Sequence, residues 1–137
     1  MLVFIDTSSL IKRYIQEDGS DKIDNYFVDG NEILLSPITT IEIASTFNRK
    51  LRDRTISLDT MDKAKQLFNI DYNSYNIIAF YDILMKSIEL INQYPLKTLD
   101  SIQTASAIIS RSDVCLTSDV QLFNIWREVK SLRSVFI

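Results

Sequence analysis

Two apolar runs in this chain are continuous rather than alternating: "LVFI" at 2–5 and "VCL" within "VCLTSD" at 114–119. A strand with one wet face alternates apolar and polar residues, so an unbroken run implies a strand covered on both faces. "EILLS" at 32–36, "YNIIAF" at 75–80 and the closing "SVFI" add further strand candidates. Between them lie stretches of helical period. Strands alternating with helices imply an α/β fold, a mostly parallel sheet with helices on both faces.

The helices carry readable punctuation. Thr7, Ser8 and Ser9 are candidate caps for a helix bearing Leu10, Ile11, Tyr14 and Ile15. Gly19 is placed to end it, and Ser20 to cap another carrying Ile23, Tyr26 and Phe27. Ser36 is expected as N-cap with Pro37 as first helical residue, before Ile43, Phe47 and Leu51 recur at helical spacing. A polar helix is expected near 58–69, one capped by Asp82, and one over about 98–111 capped by Thr98. In the last, Leu99, Ile102, Ala105 or Ser106, and Ile109 are expected to mark the buried face, and Ala105 and Ala107 keep the helix thin. No linker, repeat or low-complexity segment divides the 137 residues, so one domain over 1–137 is expected.

Composition removes several chemistries. There is no histidine, which excludes Ser-His-Asp, Cys-His and His-ligated zinc sites. With two glycines, Gly19 and Gly30, there is no Gly-rich phosphate loop. The single cysteine, Cys115, sits in an apolar run and reads as a buried thiol of a cytoplasmic protein. No window reaches the ~18 unbroken apolar residues of a membrane span, and no signal peptide is expected. A net charge of −3 argues against a general nucleic-acid coat and leaves room for a local basic patch.

Against that background four acids stand in unusual places. Asp6 ends the first strand and Asp119 ends "VCLTSD". In open α/β sheets ligands bind beyond the carboxyl ends of the strands. Glu42 lies between Ile41 and Ile43 early in a helix, and Asp100 lies in the first turn of "LKTLDSIQTASAII". Each has a plain structural explanation. An Asp at a strand-to-helix junction is an ordinary N-cap. A carboxylate in a first helical turn gains ~0.3–1 kcal/mol from the dipole. Glu42 can face solvent with Thr46 and Arg49. Jointly the pattern is harder to dismiss, since crowded carboxylates repel unless a cation neutralises them. Oxygen donors suit Mg2+ or Mn2+, which acidify bound water and assist attack at phosphorus.

In order, "FIDTSSLIKRY", "EDGS", "SPITTIEIAS", "LKTLDSIQTASA" and "LTSD" resemble a PIN domain, and more narrowly the VapC-type toxin ribonucleases of toxin–antitoxin pairs. The resemblance spans nearly the whole chain and is least distinctive over 55–94. It implies a Rossmann-like, three-layer fold with about five parallel strands. It implies Asp6, Glu42, Asp100 and Asp119 as site acids. Asp6, Asp100 and Asp119 then hold Mg2+ or Mn2+, and Glu42 completes the shell or orients water. Ser8 and Thr117 fall where such proteins support the site by hydrogen bonds. An RNA substrate, a small antitoxin partner and a homodimer are implied as well. One departure is a more hydroxylated alanine-rich helix, with Ser101, Thr104 and Ser106.

The basic residues are open to two readings. Lys12 and Arg13 follow the first strand, and Arg49, Lys50, Arg52 and Arg54 fall within six residues. Such runs form solvated helix faces, or else a rim that tracks RNA phosphates. Of these, Lys12, Arg13, Arg49 and Arg52 are the candidate RNA contacts, and Tyr14 and Trp126 the candidate stacking residues, with Tyr14 at a helical spacing more typical of core. The competing function is a noncatalytic PIN-like module that binds RNA or protein. An aspartyl phosphatase would want a second Asp two residues after Asp6, where Ser8 stands.

Overall fold

The computed structural model describes residues 1–137. Five strands, β1 (Leu2–Ile5), β2 (Glu32–Leu35), β3 (Asn76–Ile77), β4 (Val114–Thr117) and β5 (Ser134–Phe136), form one sheet. The order is β3-β2-β1-β4-β5 and every neighbouring pair is parallel. Seven helices connect them: α1 (Thr7–Tyr14), α2 (Ser20–Asp24), α3 (Thr39–Arg52), α4 (Leu58–Tyr72), α5 (Phe80–Gln93), α6 (Thr98–Ser110) and α7 (Val120–Glu128).

The continuous apolar runs have the predicted cause. Val3, Ile5, Ile33, Leu35, Val114 and Leu116 share the core on one face, where α1, α3 and α4 add Leu10, Phe47 and Phe68. Phe4, Leu34 and Cys115, aligned across three strands, face the other way onto Ala107, Leu122 and Trp126. Each large apolar side chain so buried contributes about 1.5–3 kcal/mol. On that second face α5 and α6 pack through Ile83, Leu90, Ile102 and Ala105.

Several boundaries differ from expectation. "YNIIAF" yields only the edge strand β3, and α5 begins at Phe80 with Ala79 as N-cap, leaving Asp82 in the first turn. β3 pairs with β2 alone and its two residues are exposed, so little rewards a longer strand. Ser36 and Pro37 form a turn before α3, closed by Thr39 N–H on Ser36 O, and Ile38 takes the N-cap. Lys97 rather than Thr98 caps α6, and Gly19 (φ +91°) rather than Ser20 caps α2. Leu99 is half-exposed, so the buried face of α6 starts at Ser101 and Ile102. The hydroxyls of α6 fit in the core because they bond back to their own helix: Ser101 to Thr98 O, Thr104 to Asp100 O and Ser106 to Ile102 O.

Strand order decides where a site can lie. From β1 the chain builds outward to β2 and β3, then crosses back to place β4 and β5 on the other side. The reversal falls between β1 and β4, and a crevice opens beyond their carboxyl ends.

Candidate active site

Asp6 is the first residue past β1, and its backbone N–H extends the ladder to Leu116 O on β4 (2.9 Å). Its carboxylate caps α1. Oδ2 accepts from Ser8 N–H (3.2 Å), the Ser8 hydroxyl and the Thr117 hydroxyl (3.0 Å). All three donors take the same oxygen, and Oδ1 receives none. The capping role expected of Thr7, Ser8 or Ser9 thus belongs to Asp6 itself. Burial pushes its pKa up to about 6. The Ser8 hydrogen bond opposes this, the charge on Glu42 reinforces it, and Thr117 opposes it again.

Glu42 stands in the first turn of α3. Its Oε2 accepts from the Thr7 hydroxyl (2.6 Å) and Gln103 Nε2 (2.6 Å), and Gln103 also donates to Thr7 Oγ1 (2.9 Å). Burial raises the Glu42 pKa, the two hydrogen bonds lower it, and the charge on Asp100 raises it. Asp100, in the first turn of α6, is raised by burial and by Asp119, against a lowering by Lys97. Asp119 caps α7, with Oδ1 accepting from Leu122 N–H (2.9 Å). Thr117 Oγ1 accepts from Asp119 N–H (3.1 Å) and donates to Asp6, tying the two strand-end acids together.

Repulsion therefore runs as a chain from Asp6 to Glu42 to Asp100 to Asp119. All four line one cavity of about 350 Å³, alongside Thr7, Ser8, Gln103, Lys12, Arg49 and Lys50. They do not close into a ready-made cage, since no three acidic side chains meet closely enough to grip an ion. The donor set still fits Mg2+ or Mn2+ in chemistry: it is all oxygen, anionic and mutually repulsive, and Asp6 Oδ1 is free of protein donors. The buried Gln103 Oε1 has no hydrogen-bond partner, a second unspent acceptor at the cavity wall.

The cations divide. Lys12 and Arg49 line the cavity, whereas Arg13 pairs with Asp24 (2.8 Å) and lies 4.7 Å over the Phe27 ring, away from it. Arg52 is exposed in the last turn of α3 and does not line the cavity. Neither aromatic candidate is available for stacking on bases. Trp126 is fully buried with Nε1 on Thr104 Oγ1 (2.9 Å), and Tyr14 is buried against Phe68 and Tyr75. Sequence reasoning passed over Thr7, Gln103, Glu17 and the choice of Lys50. A signal existed for Gln103: it follows Asp100 by three residues, hence on one face of α6, and is a polar residue among buried small ones.

A parallel α/β sheet with an acid-lined crevice at its topological switch point defines the class of protein. The PIN domain family model matches residues 3–126, and the chain belongs to the PIN domain family. The fold is similar to a chain in the crystal structure of VapBC2 from Rickettsia felis bound to a DNA fragment from its promoter. That likeness has a TM-score of 0.71 at 14% identity, covering 100% of this chain and 99% of that one. It is also similar to a chain of a toxin–antitoxin complex from Klebsiella pneumoniae, with a TM-score of 0.66 at 21% identity, covering 98% and 99%. No curated protein sequence matches.

Proposed function

We propose that this protein is a divalent-metal-dependent endoribonuclease and the toxin of a toxin–antitoxin pair. The observation that carries the reading is the convergence of four carboxylates, from four separate segments, on one cavity beside unpaired Arg49. Asp6, Asp100 and Asp119 would hold Mg2+ or Mn2+, with Glu42 completing the shell or orienting water. When bound, the ion supplies neutralising charge and lowers the pKa of water. The chain's own residues do the rest. Ser8 and Thr117 hold Asp6 by Oδ2 and leave Oδ1 without a protein donor. Thr7 and Gln103 hold Glu42 by Oε2, which leaves Oε1 to take a proton from the attacking water. Water attacks phosphorus in line with the departing ribose oxygen, the P–O bond breaks, and the leaving oxygen takes a proton from solvent.

The toxin assignment draws support from family membership together with structural neighbours that are toxin–antitoxin complexes. A small antitoxin is the partner expected on that ground. A homodimer finds support in the outer face of α5, where Tyr81, Met85 and Ile88 are exposed. No helix is long and apolar enough to cross a membrane. The test is direct: purified protein with Mg2+ or Mn2+ cuts RNA internally, and excess chelator stops it. Cleavage that survives both chelator and Asp6→Ala would mark a different chemistry or a contaminating nuclease and overturn the reading, and a noncatalytic module that binds RNA or protein would then take precedence.

A further inference from the structure

The basic run of α3 and the Lys12–Arg13 pair both sit in last helical turns, where a negative dipole end alone accounts for positive charge. That explanation covers Arg13 and Arg52, neither of which lines the cavity. It does not cover Lys12 and Lys50. Their side chains are 11% and 24% exposed, both line the acid cavity, and both turn toward one carboxylate, that of Glu17. Lys50 Nζ lies 2.7 Å from Glu17 Oε2, and Lys12 Nζ lies 3.7 Å from Oε1 while donating to the carbonyl of Asp18.

The segment that carries Glu17 is itself held in place. The buried Ser20 hydroxyl accepts from Glu17 N–H (3.0 Å) and donates to Lys12 O (2.8 Å). Gly19 turns with φ +91°, and a Cβ there would meet the Ile137 backbone at 3.1 Å, so no other residue fits without displacing that strand end. Two ammonium groups from different helices are thus fixed on the wall of the cavity that the four coupled acids also line. Each ammonium has three N–H donors and no acceptor. One carboxylate balances only one of the two charges, so the group keeps a net positive charge and spare donors.

We propose that Lys12, Lys50 and Glu17 form a phosphate subsite, which takes an RNA phosphodiester neighbouring the one that the four acids face. Lys12 and Lys50 donate to its oxygens, and Glu17 is a positioning residue that holds both ammonium groups in the cavity rather than in solvent. The assignment rests on the ribonuclease reading for the direction of the strand. A polyanion that approached acids alone would be repelled, and this subsite together with Arg49 gives it an anchor beside them.

Binding of a short labelled single-stranded RNA of mixed sequence is measured in chelator, where it is not cut, across a salt series. Lys12→Ala and Lys50→Ala each weaken binding about tenfold at low salt and reduce the salt slope by about 0.7, the loss of one phosphate contact. Lys50→Arg keeps the slope. With Mn2+ present the alanine variants raise KM and leave kcat within about twofold. Glu17→Gln weakens binding although it adds net positive charge, and Glu17→Asp restores part of it. A merely structural ion pair would lower the melting temperature of these variants and leave the salt slope unchanged, which would overturn the subsite. Tighter binding by Glu17→Gln would overturn the positioning role. If wild type fails to cut RNA yet the lysine variants lose RNA binding, the subsite stands and the ribonuclease reading falls. If wild type cuts RNA and the lysine variants bind it normally, the reverse holds.

Discussion

Two buried polar networks sit at opposite ends of α1, and they are built on opposite principles. At its C-terminal end the Tyr14 and Tyr75 hydroxyls bond to each other, and both reach Asp71 Oδ2, at 3.2 and 3.4 Å. Both phenols are kept neutral, their pKa values raised first by burial. Asp71 receives donors and attracts Arg13, and the tyrosines pack edge-on against Phe68 and Phe27. At the N-terminal end Asp6 also receives donors, but all on one oxygen, and the charge that acts on its pKa is that of another acid, Glu42. The first network is satisfied as it stands. The second holds carboxylates in mutual repulsion with acceptor capacity left over, the arrangement expected of a site that awaits a cation.

The contrast is open to experiment. Asp6→Asn should lower RNA cleavage by about a thousandfold or more, because the proposed ion loses an anionic ligand that no neighbour replaces. Asp71→Asn should leave cleavage within about twofold. Equal losses in initial rate, with both variants folded by circular dichroism, would erase the distinction.

A pH effect follows from the raised pKa of Asp6. Between 3.8 and about 6 the folded state retains a proton that the unfolded chain has lost. Stability of the metal-free protein therefore falls as pH rises through this window, by roughly 3 kcal/mol for a shift of that size. Urea unfolding of wild type and Asp6→Asn across pH 4–7 measures it, and the variant's curve should be flatter over that interval. Mg2+ at pH 7 should recover part of the loss in wild type, since a ligand stabilises only the state it binds. Asp100→Asn should remove that Mg2+-induced rise in melting temperature.

Smaller changes probe the supports. Gln103→Leu leaves Glu42 without its α6 donor and should reduce turnover or metal affinity about 10- to 100-fold, the range for partners that orient a ligand. Calorimetric Mn2+ titration distinguishes the two effects. In the closed network Tyr75→Phe should cost about 1 kcal/mol of stability by urea unfolding. Cleavage should be untouched, and the double variant with Tyr14→Phe should be non-additive because the two hydroxyls share one bond.

Much of this molecule was legible in one dimension. Unbroken apolar runs announced strands buried on both faces, because a parallel sheet clad by helices leaves no strand face wet. Asp6, Asp119 and Asp100 stood out because strand ends and first helical turns are where α/β proteins place chemistry. Folding alone decided which bystanders joined them. Thr7 and Gln103 are 96 residues apart and meet on Glu42 only because α6 packs beside β1. Arg13 and Lys12 are adjacent, yet successive residues of a helix point about 100° apart, so one pairs with Asp24 outside while the other enters the cavity. Trp126 looked as free as any late-helix aromatic until Thr104 and Phe4 enclosed it. Periodicity fixes what a residue's own element does with it. The partner across the fold depends on strand order and helix packing, and these are set by the sum of many weak contacts that no local stretch contains.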